Sequence, residues 1–330
     1  MKCLGFDPKK CEEEIKTPTE GEIKTPTEGE IKTLTKRFLE KVAMNLNDIT
    51  SATTLIWSNK NVTDEDVHVI HKLAIDGVLN TCKKLFLSSN KIGVKGMQTF
   101  ATAVTNGRLS NIQSLFLSSN NIGDEGMEAF ATAVASGLLL QLQHLELGIN
   151  KIGNSGMKAF ATAVASVSGL RWEAVLQKPS GRIQNNHALA DAIQEQGSAS
   201  VTFDQDVWKR FRINKLQLSD YVVAGAYYFQ PSRSLPQLQN LFLHSNEIGD
   251  DGMQEFAAAV ASGSLPHLRT LNLEYNKIGD DGMKALATAV ANGSVLDPIK
   301  FILRGNNATD EGETAMLNVA ETRNFNVSLE

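Results

Sequence analysis

The chain has 330 residues, of which 42% are hydrophobic, and its formal net charge at pH 7 is -5. A chain of this length with this apolar content can bury a continuous core. The acidic balance provides no concentrated basic surface of the kind that attracts nucleic acid or anionic lipid. We therefore expect neither a nucleic acid nor a membrane as a partner.

The cellular compartment is predicted from targeting signals and cysteines. The residues from Met1 to Lys10 carry lysines but no apolar segment before a small-residue cleavage site, and no stretch approaches the ~18 apolar residues that a membrane helix needs. Cys3, Cys11 and Cys82 have neither metal-ligand nor disulfide-framework spacing, which fits a reducing compartment. The sequence thus predicts a cytoplasmic protein.

The first segment is of low complexity. It contains the octapeptide IKTPTEGE at Ile15 and again at Ile23. Its low apolar content, with Pro and Gly in each copy, predicts a disordered tether over residues 1–33. The amphipathic stretch LTKRFLEKVAMNL from Leu34 predicts a helix that caps the end of a stack.

A nine-residue pattern, LFLSSNNIG at Leu115, recurs at intervals of 30 residues within each half of the chain. A second pattern, GMEAFATAV at Gly126, follows most copies and spaces its apolar residues at i, i+3, i+4 and i+7, as a helix that buries one face does. Each unit therefore predicts a strand, a turn, a helix and a return loop. The copies begin at Leu85, Leu115, Leu145, Leu241, Leu271 and Phe301.

The strand pattern assigns a side to each residue. Leu115 and Leu117 point into the core and Phe116 points outward, because successive side chains alternate across a strand. An asparagine at the sixth position has donors and an acceptor for the backbone of neighbouring turns, which predicts a structural ladder. Its members are Asn90, Asn120, Asn150, Asn246, Asn276 and Asn306.

Acidic and amide side chains at the helix starts predict caps for the first turn of the same helix, and Val94 is the exception. This role explains the pairs Asp250–Asp251 and Asp280–Asp281 without a metal. His68 and His71 lack ligand partners at suitable spacing, so we expect no metal, no cofactor and no catalytic residue. The capping residues are Asp124, Asn154, Asp250, Asp280 and Asp310.

Together the two patterns resemble the ribonuclease-inhibitor-like class of leucine-rich repeats, which includes the repeat regions of NOD-like receptors and of the Ran GTPase-activating protein. The resemblance covers residues 85–167 and 236–320. It implies an α/β solenoid shaped as a horseshoe, with parallel strands on the concave face and helices on the convex face. The stacking of units that cannot bury their own apolar face implies the same architecture.

The array is predicted to be interrupted. Residues 52–81 fit a degenerate first repeat, and 170–197 fit a decayed repeat with Leu176 in its strand. An aromatic-rich insert follows at 198–232, in which YVVAGAYYF from Tyr221 predicts two strands around a tight turn. The predicted organisation is a tether at 1–33, a cap with repeats at 34–167, a degenerate region with the insert at 168–235, and repeats at 236–330.

These features predict a monomeric scaffold or adaptor, not an enzyme, which binds a protein on its concave face and through the insert. Exposed aromatic side chains on such a face are typical interface anchors. The resemblance leaves two alternatives, a GTPase-activating protein of the Ran type and the sensor half of a NOD-like receptor system. The candidate binding residues are Phe86, Ser88, Phe116, Ser118, Glu146, Phe242, His244, Asn272, Glu274 and Tyr275.

Overall fold

The computed structural model describes residues 26–171, 176–177, 222–223, 230–233, 235–292, 299–323 and 325–329. The octapeptide copy at Ile15, most of the decayed repeat and most of the aromatic insert lie outside these residues. The helices are α1 (Glu28–Val42), α2 (Leu46–Ser51), α3 (Asp64–Ile75), α4 (Val94–Thr105), α5 (Gly123–Ala135), α6 (Asn154–Ala165), α7 (Asp250–Ala261), α8 (Asp280–Ala291) and α9 (Asp310–Arg323).

The strands are short and recur with the helices. They are β1 (Thr54–Ile56), β2 (Lys84–Phe86), β3 (Ser114–Phe116), β4 (His144–Glu146), β5 (Val167–Arg171), β6 (Leu176–Gln177), β7 (Val222–Val223), β8 (Gln230–Arg233), β9 (Asn240–Phe242), β10 (Thr270–Asn272), β11 (Lys300–Ile302) and β12 (Asn326–Ser328).

Eight strands form one open sheet in the order β1-β2-β3-β4-β9-β10-β11-β12. Each neighbouring pair is parallel, and equivalent residues face each other, as Leu85, Leu115 and Leu145 do. Helices of successive units pack side by side as a second layer. This is the predicted α/β solenoid of parallel strands and helices.

The core lies between the sheet and the helices, as predicted from the two-residue period of the strands and the 3.6-residue period of the helices. Leu115 and Leu117 are fully buried, and Phe116 between them is half-buried. On α5, Met127 and Phe130 are also fully buried. One unit therefore contributes an apolar strip from its strand and another from its helix, and the neighbouring units cover both.

The asparagines of the ladder bridge adjacent units. The Oδ1 atom of Asn246 accepts from the amides of Asn150 and Ile152 at 3.0 Å each, and its Nδ2 donates to the carbonyls of Leu147 and Leu243 at 3.0 Å each. The side chain thus satisfies buried backbone groups of its own unit and of the preceding one, which would otherwise be costly to desolvate. At all six ladder positions the asparagine Nδ2 donates to a backbone carbonyl of the preceding unit.

The helix-start carboxylates cap the next helix, so the prediction that they cap their own helix was wrong. Oδ1 of Asp124 accepts from the amides of Gly153 and Gly156, at 2.6 and 3.0 Å, at the start of α6. The cause is position, because Asn154, Asp250 and Asp280 are first helical residues that follow a glycine N-cap. Their side chains extend toward the following helix. A Cβ at Gly156 would lie 2.7 Å from Asp124 Oδ1, which explains the glycine of the GM pattern.

The other capping residues show the same arrangement where a following helix exists. Asn154 accepts from Gly249, Asp250 from Gly279, and Asp280 from Thr309. Asp310 begins α9, after which the described part of the chain contains no further helix. The starts of α6, α7, α8 and α9 therefore depend on the unit before them.

The N-terminal cap begins earlier than predicted. Helix α1 starts at Glu28, not near Leu34, because the amide of Thr27 donates to Glu30 Oε2 at 2.7 Å while its side chain accepts from the amide of Glu30. Farther along the helix, Phe38 packs edge-to-face on Trp57, with ring centroids 5.0 Å apart. Lys41 forms an ion pair with Asp66, which is fully buried. Both contacts fix the cap to the unit that contains β1 and α3.

The chain leaves and rejoins the array without interrupting the sheet. Strand β4 pairs directly with β9, so that His144 faces Asn240 and Leu145 faces Leu241. The prediction of a decayed repeat within the stack was wrong, since β6, which contains Leu176, pairs antiparallel with β7 in a separate two-stranded sheet. Strands β5 and β8 form a further antiparallel pair where the excursion begins and ends.

Removal of the inter-unit cap at Asp250 should destabilise the chain. Asp250→Ala leaves the amides of Gly279 and Gly282 without their acceptor, and loss of such a cap typically costs about 1–2 kcal/mol. Asp251→Ala is the matched control, because it removes the same charge from the adjacent exposed residue. Urea unfolding followed by circular dichroism measures both. Equal losses of unfolding free energy for the two variants would contradict an inter-unit capping role.

The excursion should be dispensable for the array. Arg171 and Gln230 are paired antiparallel neighbours, so a two-residue Asn-Gly turn is long enough to replace residues 172–229. We expect the shortened chain to keep a cooperative unfolding transition, since the β4–β9 pairing and the α6–α7 contact do not use the deleted segment. Thermal melting by circular dichroism tests this. A chain that loses its helical signal or its cooperativity would show that the segment is required.

Candidate functional site

The outward side of the eight-stranded sheet, here called the strand face, carries all the candidate binding residues. In-register pairing places the last residues of successive strands beside one another. Rows of side chains therefore run across the strands. The row formed by these last residues is Ile56, Phe86, Phe116, Glu146, Phe242, Asn272, Ile302 and Ser328.

The first half of this row is apolar. The rings of Phe86 and Phe116 are stacked, with centroids 4.3 Å apart and planes at 7°. Ile56 follows on β1 and is 64% exposed. We call these three residues the aromatic patch. Ile56 was missing from the predicted site, although its position between the core residues Leu55 and Trp57 already indicated that it faces outward.

A row of hydroxyl groups borders the aromatic patch. Ser118 Oγ hydrogen-bonds Ser88 Oγ at 3.0 Å. Ser118 is only 8% exposed, whereas Ser88 is half-buried. Of these two predicted binding residues, Ser88 is therefore the more accessible, and Ser118 mainly supports it.

The middle of the strand face is polar and lies where β4 meets β9. Nδ1 of His144 hydrogen-bonds the side-chain amide of Asn240 at 2.8 Å. A Cβ at Gly148 would lie 2.4 Å from Nε2 of His244, so the absence of a side chain at Gly148 leaves the space that this imidazole occupies. Glu146 and Phe242 lie half-buried between these two contacts.

The second half of the strand face is occupied by contacts among its own groups. Arg304 Nε lies 3.4 Å from a carboxylate oxygen of Glu274, and its guanidinium lies 5.2 Å from the ring centroid of Tyr275. Asn272 is 8% exposed and bonds Glu274 through both its amide nitrogen and its oxygen. Tyr275 remains 51% exposed. This half therefore offers one accessible aromatic ring and a neutralised ion pair.

In the described ranges no group of three or more His, Cys, Asp and Glu side chains is arranged to hold a metal ion. Burial is the main cause that lowers the pKa values of His68 and His71. None of the helices that the structure describes is both long and apolar enough to cross a membrane.

A family model matches the repeat. Residues 108–131, 141–161, 238–257 and 264–287 match a family model described as Leucine Rich repeat. Each range joins a strand region to the following helix, as in 141–161, which contains β4 and the first part of α6. A search of curated proteins finds no match to the chain.

Two solved structures are similar at low identity. One is an internalin from Listeria monocytogenes, with 13% identity over 90% of this chain and 93% of that chain and a TM-score of 0.26. The other is a TDR receptor, with 11% identity over 80% of this chain and 49% of that chain and a TM-score of 0.20.

Protonation of His144 should destabilise the folded chain. Burial, and secondarily the charge of Lys84, lowers the pKa of His144 below its ordinary value of 6.5. The folded chain binds this proton less readily than the unfolded chain. The contribution of His144 to the unfolding free energy should therefore be complete above about pH 6.5 and decrease as the pH falls through the two pKa values.

Urea unfolding between pH 7.5 and pH 5 measures this dependence. His144→Gln keeps a side chain that can bond Asn240 but does not titrate, so its unfolding free energy should fall less steeply with acidification than that of the wild type. An identical slope for the two proteins would show that His144 does not contribute.

Proposed function

We propose that this leucine-rich-repeat protein is a non-enzymatic scaffold that binds a protein partner on its strand face, with the aromatic patch as the anchor. The observation that carries the proposal is the outward, half-exposed stack of Phe86 and Phe116 beside the exposed Ile56. Large apolar side chains that remain outside the core cost solvation free energy unless another surface covers them. Aromatic side chains are also the usual centres of binding energy in protein interfaces.

The surroundings of the aromatic patch favour a protein partner of mixed apolar and acidic character. Lys84 lies two residues before Phe86 on β2, so it points outward from the same face, and it is exposed. The hydroxyl groups of Ser88 and Ser118 border the other side. We propose that the partner places an apolar side chain on the stacked rings and a carboxylate near Lys84.

The two halves of the strand face contribute differently in this proposal. Glu274 and Arg304 already neutralise each other, and Asn272 is committed to Glu274. Such prepaired groups add little affinity but penalise a partner that leaves them unsatisfied. The second half is therefore assigned to specificity, with Tyr275 as its accessible contact and His244 and Glu146 between the two halves.

The finer features of the proposal rest on the sequence. The L-x-L-x-x-N-x-I-G and GM patterns support the ribonuclease-inhibitor-like class, and the cysteine usage supports a cytoplasmic location. The net charge of -5 supports a protein, not a nucleic acid or an anionic membrane, as the partner. The chain is proposed to act as a monomer, with the segment 198–232 as a further contact.

Introduction of negative charge into the aromatic patch tests the proposal. Phe86→Glu combined with Phe116→Glu should weaken partner binding by roughly a hundredfold or more, since anchor residues contribute about 2 kcal/mol or more each. Affinity purification with quantitative mass spectrometry should show a set of proteins that the wild type enriches and the double variant does not. Binding of each enriched protein is then measured with purified components.

The matched control is Thr102→Glu combined with Thr132→Glu. These exposed threonines lie on α4 and α5, the helices of the units that contain β2 and β3. The change introduces the same charge at the same one-unit spacing, but on the helix side. The control should keep every partner. If both double variants fold, as judged by circular dichroism, and retain the same partners, the strand face is not the binding site.

A further inference from the structure

Four helix starts in the array share one backbone geometry. The glycine before each helix is extended, with φ of -113° at Gly93, -103° at Gly153, -109° at Gly249 and -96° at Gly279. Its amide donates to an Asp or Asn side chain in the first turn of the preceding helix, at 2.6 to 2.7 Å. The acceptor one unit back and the extended glycine therefore occur together.

The helix start at Gly123 differs from these four. One unit back stands Val94, the single member of the series without a side-chain acceptor. Gly123 has φ of +63°, and Ile122 before it has a helical ψ of -49°. Relative to the other glycines, φ is rotated by close to half a turn. A rotation of this size about one residue is the signature of a peptide plane turned over, and glycine is the residue that permits it.

The turned peptide changes the hydrogen bonds of the next unit. The amide of Gly123 donates to the backbone carbonyl of Asn150 at 2.9 Å. At the other five ladder positions, the asparagine Oδ1 accepts from a backbone amide of the preceding unit at 2.9 to 3.1 Å. Oδ1 of Asn150 is buried and has no hydrogen-bond partner among the residues that the structure describes. Lys151 also has a left-handed φ of +60°.

We propose that the lack of a side-chain acceptor at Val94 favours the turned orientation of the Ile122–Gly123 peptide. The junction between the units of β3 and β4 is thereby a two-state point of the solenoid, at which this peptide can take either orientation. Without an acceptor at position 94, the ordinary orientation leaves the amide of Gly123 unsatisfied. The turned orientation satisfies that amide but leaves Asn150 Oδ1 unsatisfied. Each state leaves one polar group of this junction without a hydrogen bond, so the free energies of the two states lie close together.

The two-state point lies directly below the strand face. Ile149 and Asn150 follow β4 by a few residues, and Ile149 is 49% exposed with a left-handed φ of +57°. A turn of the Ile122–Gly123 peptide exchanges the hydrogen bonds of Asn150. The turn after β4, beside Glu146, therefore changes its hydrogen bonds with the orientation of the Ile122–Gly123 peptide of the neighbouring unit.

Val94→Asp tests the proposal, because it supplies the acceptor that the other junctions have. In the labelled full-length chain, NMR should show a negative φ at Gly123 from its scalar couplings, at least tenfold slower amide exchange at Gly123 and Gly126, and shifted side-chain amide resonances of Asn150. The urea midpoint should rise. Val94→Asn should act in the same direction, since Asn154 fills this role with bonds of 2.7 and 3.2 Å. Val94→Leu should leave every signal unchanged.

The reciprocal variant is Asp124→Val. It removes the acceptor of Gly153 and Gly156 and should convert Gly153 to a positive φ while shifting the side-chain resonances of Asn246. The proposal is overturned if Val94→Asp leaves Gly123 left-handed, if Val94→Leu reproduces its effects, or if Asp124→Val keeps Gly153 extended. None of these results depends on a binding partner, so they are separate from the test of the strand face.

Discussion

The hydrogen bonds that cross from one unit to the next are the constraint on which the rest of the structure depends. The turn after each strand exposes backbone amides and carbonyls to the core, where water is absent, so each needs a protein partner. The ladder asparagines supply those partners to two units at once, as Asn246 does for the carbonyls of Leu147 and Leu243. Carboxylates such as Asp124 supply them to the next helix. A single unit is therefore incomplete in both its apolar surface and its polar groups.

This dependence on neighbours explains how the array accommodates the excursion between β5 and β8. A contact between adjacent units requires that the complementary groups are present. It does not depend on how many residues connect the two units along the chain. Asn246 lies 96 residues after Asn150, yet its side chain bonds Leu147 and Ile152 as Asn276 bonds the unit before it. Asn154 likewise caps Gly249 across the junction. The sheet stays continuous because the unit of β9 presents the same pattern as the unit that would otherwise follow β4.

The sequence period was sufficient to predict the strands, the helices and the outward direction of Phe86 and Phe116, because these follow from periods of two and 3.6 residues within one unit. It was not sufficient for features that depend on two units. The direction in which Asp124 reaches is decided by whether it is the cap or lies within the first helical turn, as it does in α5. The burial of Ser118 and Asn272 depends on neighbouring side chains such as Ser88 and Glu274. The position of Leu176 outside the main sheet depends on tertiary pairing with β7.

The two halves of the strand face differ in polarity because single residues differ between strands that are paired in the same register. Because equivalent residues align, one substitution in the repeat changes one place in a row and leaves its neighbours in position. The row therefore passes from Phe116 to Glu146 within a single strand spacing, and from the stacked rings to the prepaired Glu274 and Arg304 within a few more. In the proposed function, affinity and selectivity are therefore assigned to different parts of the solenoid. A partner that covers only the aromatic patch gains apolar contact, whereas one that extends to Tyr275 must also fit charges that are already satisfied.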